Sequence, residues 1–450
     1  MGYGQHGVSL LDGWLPVTVQ IIAVVLLLAA LARRDRRWWI IWVPAAVVVG
    51  VIAVLLASWY ERAQGLASDP PPAMLWWWIG ILGFALGIFV FGVIRTRWWR
   101  RVVALLAVVA ALASAGLVLN QWVGYYTTVP EAWGALTQGP LPNEVDASQL
   151  ASLRGKPTTT GKIVALDTPK GPSGFSHRTE HVYLPPQWFA GASAPQLPAV
   201  LMIAGEFNTP EDWLRIGNAA GIADHYAAQH GGKAPILVFP DVGGSFNNDT
   251  ECVNGPRGNV ASHLTDEVRP AVIDQFHAAP AGKNWGVVGW SMGGTCALDL
   301  VVMHPDKFSA FDDIAGDAAP DAGDKQQSVA RLFGGSTAEY DRFDPTKVMA
   351  AHGPYSGVVG WFDDANPGTD KRAHHWHGHR PSGGTGLGGR DNQGFTQPGA
   401  ELAAARQLCV QAQTVGIECT VRTRDGGHTW QFAQAAFTEV LGPMSQRIGL

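Results

Sequence analysis

The stretch NWGVVGW, residues 284–290, leads through Ser291 into MGGTCALDLVVMH, residues 292–304. The first part is a short apolar run of strand length. The second is an apolar helical pattern, and between them lies Gly289-Trp290-Ser291-Met292-Gly293, a G-x-S-x-G. The pentapeptide alone is common. In the order strand, turn, helix it predicts a nucleophile elbow, in which a sharp turn lifts the serine hydroxyl clear of the sheet. Glycines flank it because a side chain there would strike neighbouring backbone. A Gly-rich turn with an idle serine is the plainer alternative.

A serine hydroxyl attacks a carbonyl only when a base takes its proton. His428, in DGGHTW, follows the strand candidate CTVRTRD and precedes a helix. That late position suits the base, with the chain order serine, acid, histidine. The acid should follow the strand before it. SGVVGWF ends at Phe362, so Asp364 is the first candidate and Asp363 the second, with Glu401 and Asp391 also within reach of the argument. An oxyanion hole needs two backbone N–H groups. Met292, directly after the serine, supplies one. Glu206 or Phe207, in the loop GEFNTPEDW after PAVLMIAG, supplies the other.

Around the elbow, strand patterns alternate with helical ones, which predicts an α/β sheet with helices on both faces. About eight strands are expected, at 161–167, 180–186, 198–205, 235–242, 284–290, 309–316, 356–362 and 419–425. Helices are expected near 210–230, 262–279, 292–304, 326–333, 400–415 and 430–441. Most strands are nearly continuous apolar runs, as in parallel strands covered on both sides.

Residues 1–126 are of another kind. They hold nine Arg, no Lys and four acidic residues, a formal +5, against −10 for residues 127–450. Four apolar runs, near 14–32, 38–60, 74–94 and 102–124, have the ~20-residue length of a bilayer span. Arg33, Arg34, Arg36 and Arg37 fill the first connection, and Arg95, Arg97, Arg100 and Arg101 the third. The positive-inside rule puts those connections in the cytoplasm and everything after residue 126 outside it. The run interiors carry no ionisable residue, which favours an anchor over a transporter. The small-residue run AALASAG, 110–116, would allow close helix packing. The expected organisation is a four-span transmembrane region over 1–126, a linker over 127–160, and a catalytic domain over 161–450 with a His- and Gly-rich insertion at 365–399.

With the elbow, the late histidine, and the segments IAGEFNTPEDW, FPDVGGSFNNDTECV, HLTDEVRPAVI and VVGWSMGGTCALDLVVMHPDKFSAF in place, residues ~160–445 resemble the esterase family of α/β-hydrolases that includes esterase D, feruloyl esterases and the antigen 85 mycolyltransferases. The resemblance implies a Ser–Asp/Glu–His triad, no metal or other cofactor, and ester hydrolysis or acyl transfer. In the mycolyltransferases the acid is a Glu near the start of the last long helix, which points to Glu401. With four spans beside it, the substrate expected is an amphiphilic, lipid-like acyl ester. A mycolyltransferase-like acyltransferase and a silent envelope binding module are the alternatives.

Other patterns carry less. His374, His375, His377 and His379 form a His-rich tract, yet no Cys or carboxylate completes a metal-ligand spacing. GTGLGG, 384–389, follows no strand and opens no helix, so it is no dinucleotide loop. The acidic second part lacks the basic face a nucleic acid needs. Four cysteines, all after residue 126, permit two disulfides, with Cys252–Cys296 and Cys409–Cys419 favoured. Asn248-Asp249-Thr250 matches a glycosylation sequon.

Overall fold

The computed structural model describes residues 7–32, 35–64, 71–93, 96–137, 139–366 and 399–450. They fall into two compact units, the second beginning at Gly139. The His-rich tract, GTGLGG and Asp391 lie outside the described residues.

The first unit contains α1 (Trp14–Leu31), α2 (Val43–Gln64, entered through a π-turn at Trp38–Trp42), α3 (Ala73–Gly92) and α4 (Trp98–Val123). All four are long and apolar enough to cross a membrane, with mean hydropathies between 2.1 and 2.8. Their large apolar side chains point outward: Leu55, Leu56 and Leu112 are all exposed. Their small ones point inward. In α4, Ala104, Ala107, Ala111, Ser114 and Ala115 are buried, the last three within the expected run at 110–116. Helices α2 and α3 approach more closely through glycines. A Cβ at Gly50 would stand 2.7 Å from the Gly80 carbonyl oxygen, and one at Gly87 2.8 Å from Ala46 Cα. Lipid tails are as apolar as leucine, so close backbone packing is what brings such helices together.

The second unit is built on eight strands: β1 (Lys162–Leu166), β2 (Glu180–Leu184), β3 (Ala199–Ile203), β4 (Ile236–Phe239), β5 (Trp285–Trp290), β6 (Ala310–Ile314), β7 (Val359–Ala365) and β8 (Glu418–Arg424). Their order is β1-β2-β4-β3-β5-β6-β7-β8. Strand β2 runs antiparallel to its neighbours β1 and β4, and β3 to β8 run parallel. Strands β2 to β6 are buried at every residue, so both faces are covered. This is the α/β-hydrolase architecture, and each strand lies within a few residues of its sequence pattern.

Four helices matter for the site: α5 (Ala219–Gln229), α6 (Met292–Met303), α7 (Ala400–Thr414) and α8 (Trp430–Arg447). Helix α6 is buried from Met292 to Val302 and packs on β5 and β6. The helix expected over 210–230 is broken: a short turn at Asp212–Arg215 is followed by α5. Where a linker over 127–160 is expected, the chain is largely structured. Val129–Leu136 is helical, Val145 N–H donates to Ile163 O at 2.9 Å, and Leu150 is buried in the sheet core. Arg154 lies over the Trp188 ring at 3.6 Å.

Both favoured cysteine pairs are bonded. Cys252–Cys296 ties α6 to the loop after β4, and Cys409–Cys419 ties α7 to β8. The sequon is absorbed into the fold. Asn248 Nδ2 donates to the carbonyls of Gly243 and Arg257, and the Thr250 hydroxyl to Val242 O.

Candidate active site

Strand β5 delivers Ser291 at its C-terminal end. The residue has φ 60° and ψ −128° and stands as the N-cap of α6. A non-glycine residue with positive φ is strained and persists only where its surroundings impose it. They do so here: Ser291 N–H donates to Ile314 O at 2.9 Å and Ser291 O accepts from Gly294 N–H at 2.7 Å. A Cβ at Gly289 would run into the Gly293 carbonyl, and one at Gly293 would stand 2.9 Å from the Ala204 carbonyl oxygen. Those contacts account for both flanking glycines.

The oxyanion loop leaves β3 and passes close to the serine. A Cβ at Gly205 would lie 3.0 Å from Ser291 Cβ. Glu206, Phe207 and Met292 line one small cavity there, of about 10 Å³. Phe207 has φ 64°. The first N–H groups of a helix have no partner within it, so that of Met292 is available to a developing oxyanion. Burial first, and then the charge of Asp249, push the Glu206 carboxyl up to about 8, with Arg257 opposing.

His428 sits in the loop from β8 to α8, where Thr429 caps the helix. Its ring lies against Trp290, the residue before the serine, at 5.3 Å between centroids. Trp290 in turn packs on Trp430 at 4.5 Å.

Three of the four carboxylates proposed for the acid lie among the described residues, and they have separate surroundings. Glu401, in the first turn of α7, has Oε1 3.4 Å from His428 Nδ1. Asp363 is turned away: Arg422 Nε donates to its Oδ2 at 3.0 Å, and Arg424 takes its Oδ1. Asp364 is buried, and its Oδ1 has no hydrogen-bond partner among the described residues. Burial, and then the charges of Asp313, Glu401 and Asp363, push its carboxyl up to about 8, while the charge of His428 opposes them. The sequence order puts Asp364 first; among the described residues, the carboxylate within ion-pair distance of the imidazole is Glu401.

Two further groups brace the site and have no local sequence signal. Arg178 Nη2 donates to Asp241 Oδ1 at 2.6 Å and to Asn208 O, in the oxyanion loop, at 2.9 Å. Burial opposes the charge of Asp241, but the Arg178 bonds and the Gly244 N–H hold its carboxyl below the usual range. Arg178 and Asp241 lie 63 residues apart, which hides the pair from any motif search. Behind them, buried His263 contacts Glu180 Oε1 through Nε2 at 3.1 Å and Glu267 Oε2 through Nδ1 at 2.7 Å. His177, Glu180 and His263 bring donor atoms within 4.8 Å of one another, a metal-compatible spacing. Both nitrogens of His263 already face carboxylates, and only the imidazolium donates from both. Burial draws its pKa down, but the bonds and charges of Glu180 and Glu267 outweigh that and raise it.

The sequence profile of the family described as putative esterase matches residues 176–444. The chain belongs to that family. It is thereby grouped with the carboxylic ester hydrolases. An uncharacterized protein of Corynebacterium glutamicum is 27% identical over 364 residues, 79% of this chain and 78% of that protein. That share exceeds what residues 139–450 can supply, so the likeness extends into the helical unit. The S-formylglutathione hydrolase of Paracoccus denitrificans is 28% identical over 199 residues, 40% of this chain and 66% of that protein. A solved S-formylglutathione hydrolase from Agrobacterium tumefaciens superposes with a TM-score of 0.49 at 17% identity, covering 65% of this chain and 97% of its own.

Proposed function

We propose that this esterase is anchored in a membrane by α1 to α4 and cleaves an amphiphilic acyl ester outside the cytoplasm through an acyl-enzyme on Ser291. The observation that carries the proposal is the strained Ser291 at the elbow, with the His428 ring against Trp290 and Glu401 at 3.4 Å from Nδ1. His428 takes the hydroxyl proton as Ser291 Oγ bonds to the carbonyl carbon. The N–H groups of Met292 and Glu206 hold the oxyanion. Collapse expels the alcohol, which receives the proton from His428. Water then repeats the sequence on the acyl-enzyme and releases the acid.

Glu401 orients the imidazole and supports its charge. Asp364 suits that task less, because a carboxyl with a pKa of about 8 is mostly neutral at pH 7. Supporting the membrane reading, the four helices have spanning length and composition. The arginine-rich connections support the outside placement of the catalytic unit.

A fluorophosphonate probe tests the nucleophile. Wild type labels and Ser291→Ala does not; equal labelling of the two ends the proposal. Glu401→Gln lowers kcat by about 10³ to 10⁴, the scale of triad-acid removal, while Asp364→Asn changes it much less. The reverse ranking hands the role to Asp364.

A further inference from the structure

Among the described residues from Gly139 onward, two large apolar side chains are strongly exposed: Phe246, at 71%, and Val410, at 63%. Val410 lies far along α7 from Glu401. Phe246 belongs to the loop after β4, and its ring is 5.5 Å from that of Phe207 in the oxyanion loop. The base of the Phe246 loop is pinned. Asp241 Oδ1 accepts from the N–H groups of Gly243 and Gly244, at 3.1 and 3.2 Å, and Asn248 Nδ2 donates to Gly243 O at 2.9 Å. Phe246 is therefore held out in water by a fixed frame.

Phe207 adds a second observation. A bulky residue with positive φ is an outlier, and such strain gathers where a site needs a particular geometry. Here it sets the ring beside Phe246, two residues from Gly205, which touches the nucleophile. The cavity beneath has room for about one water molecule, at about 10 Å³. Exposed Phe246, with half-buried Phe207 beside it, is apolar surface on the loops that flank this cavity.

We propose that Phe207 and Phe246 form an open aromatic edge that binds the apolar acyl group of the ester, so that a chain beyond its first carbons lies across the rings. The occupant is the acyl part of a medium-chain or aryl ester. The inference rests on Ser291 being the nucleophile. It predicts selectivity that rises with apolar area, since each ring offers a large flat surface to a flexible chain.

The test uses the full chain in lipid nanodiscs, with p-nitrophenyl acetate, butyrate and octanoate below their aggregation limits. The readout is kcat/KM for octanoate divided by that for acetate. Phe246→Ser lowers this ratio about tenfold, the scale on which apolar contacts discriminate substrates. Phe246→Leu retains most of it, and Val410→Ser leaves it at the wild-type value. A Phe246→Ser ratio equal to wild type overturns the proposal, as does an equal fall with Val410→Ser. Fluorophosphonate labelling runs in parallel: if wild-type Ser291 stays unlabelled, it is the nucleophile assignment that fails, whatever the ratios.

Discussion

Glu206 is the residue through which we expect pH to act on the proposed site. Its N–H is the proposed oxyanion donor, while its carboxyl, pushed up to about 8, stays protonated at neutral pH. Ionisation would place a negative charge beside the position where the oxyanion forms. We expect kcat/KM to fall above about pH 8 and the alkaline limb to move up by about one unit in Glu206→Gln, which keeps the N–H. A pH profile of both proteins decides it, and an unmoved limb rejects the assignment. Stability shifts in the same direction. The folded chain holds a proton that the unfolded chain, at the ordinary 4.5, has released, so this group's contribution is full below 4.5 and is lost as pH rises to about 8. At this scale the sequence singles out Ser291 and His428, where chemistry and chain order coincide. It places Asp364 before Glu401 because Glu401 comes near His428 from a helix that begins after a long intervening segment, a proximity that spacing does not encode.

Between elements, the Arg178–Asp241 pair holds two loops in one arrangement. It joins the segment before β2, the loop after β4 and the oxyanion loop after β3. Removing the guanidinium would free Asn208 O and leave a buried carboxylate without its partner. Arg178→Ala should lower kcat by about 10², the cost of disturbing one oxyanion donor, with a smaller change in KM. Added methylguanidinium should restore part of the rate. If it restores none while the protein remains folded by circular dichroism, the residue is not a positioning group. The elements themselves were legible from sequence, because continuous apolar runs mark buried parallel strands. The disulfide ties between them were legible too, but the polar ties were not. Arg178 with Asp241, and His263 with Glu180, are contacts made by the tertiary fold alone. The glycine contacts of α2 with α3 were equally silent, since an apolar helix shows no polar face to indicate its partner.

For the whole molecule, charge carries the organisation. The split between a +5 first part and a −10 second part coincides with the change from apolar helices to the sheet unit. If the arginine-rich connections face the cytoplasm, Ser291 faces away from it. A membrane-impermeant fluorophosphonate should then label Ser291 on intact cells as well as on lysed ones. Labelling that appears only after permeabilisation would invert the topology and leave the esterase assignment standing.

The Cys252–Cys296 bridge carries this further. Its cysteines are 3% and 0% exposed, and one belongs to the helix that Ser291 caps. A reductant cannot reach sulfurs so enclosed while the core is closed, so the bond is made during folding and then kept. It is a lasting chemical mark of the redox conditions under which the chain matured. A molecule folded on the reducing side would carry two enclosed thiols in its place, and counting thiols after denaturation would tell the two histories apart.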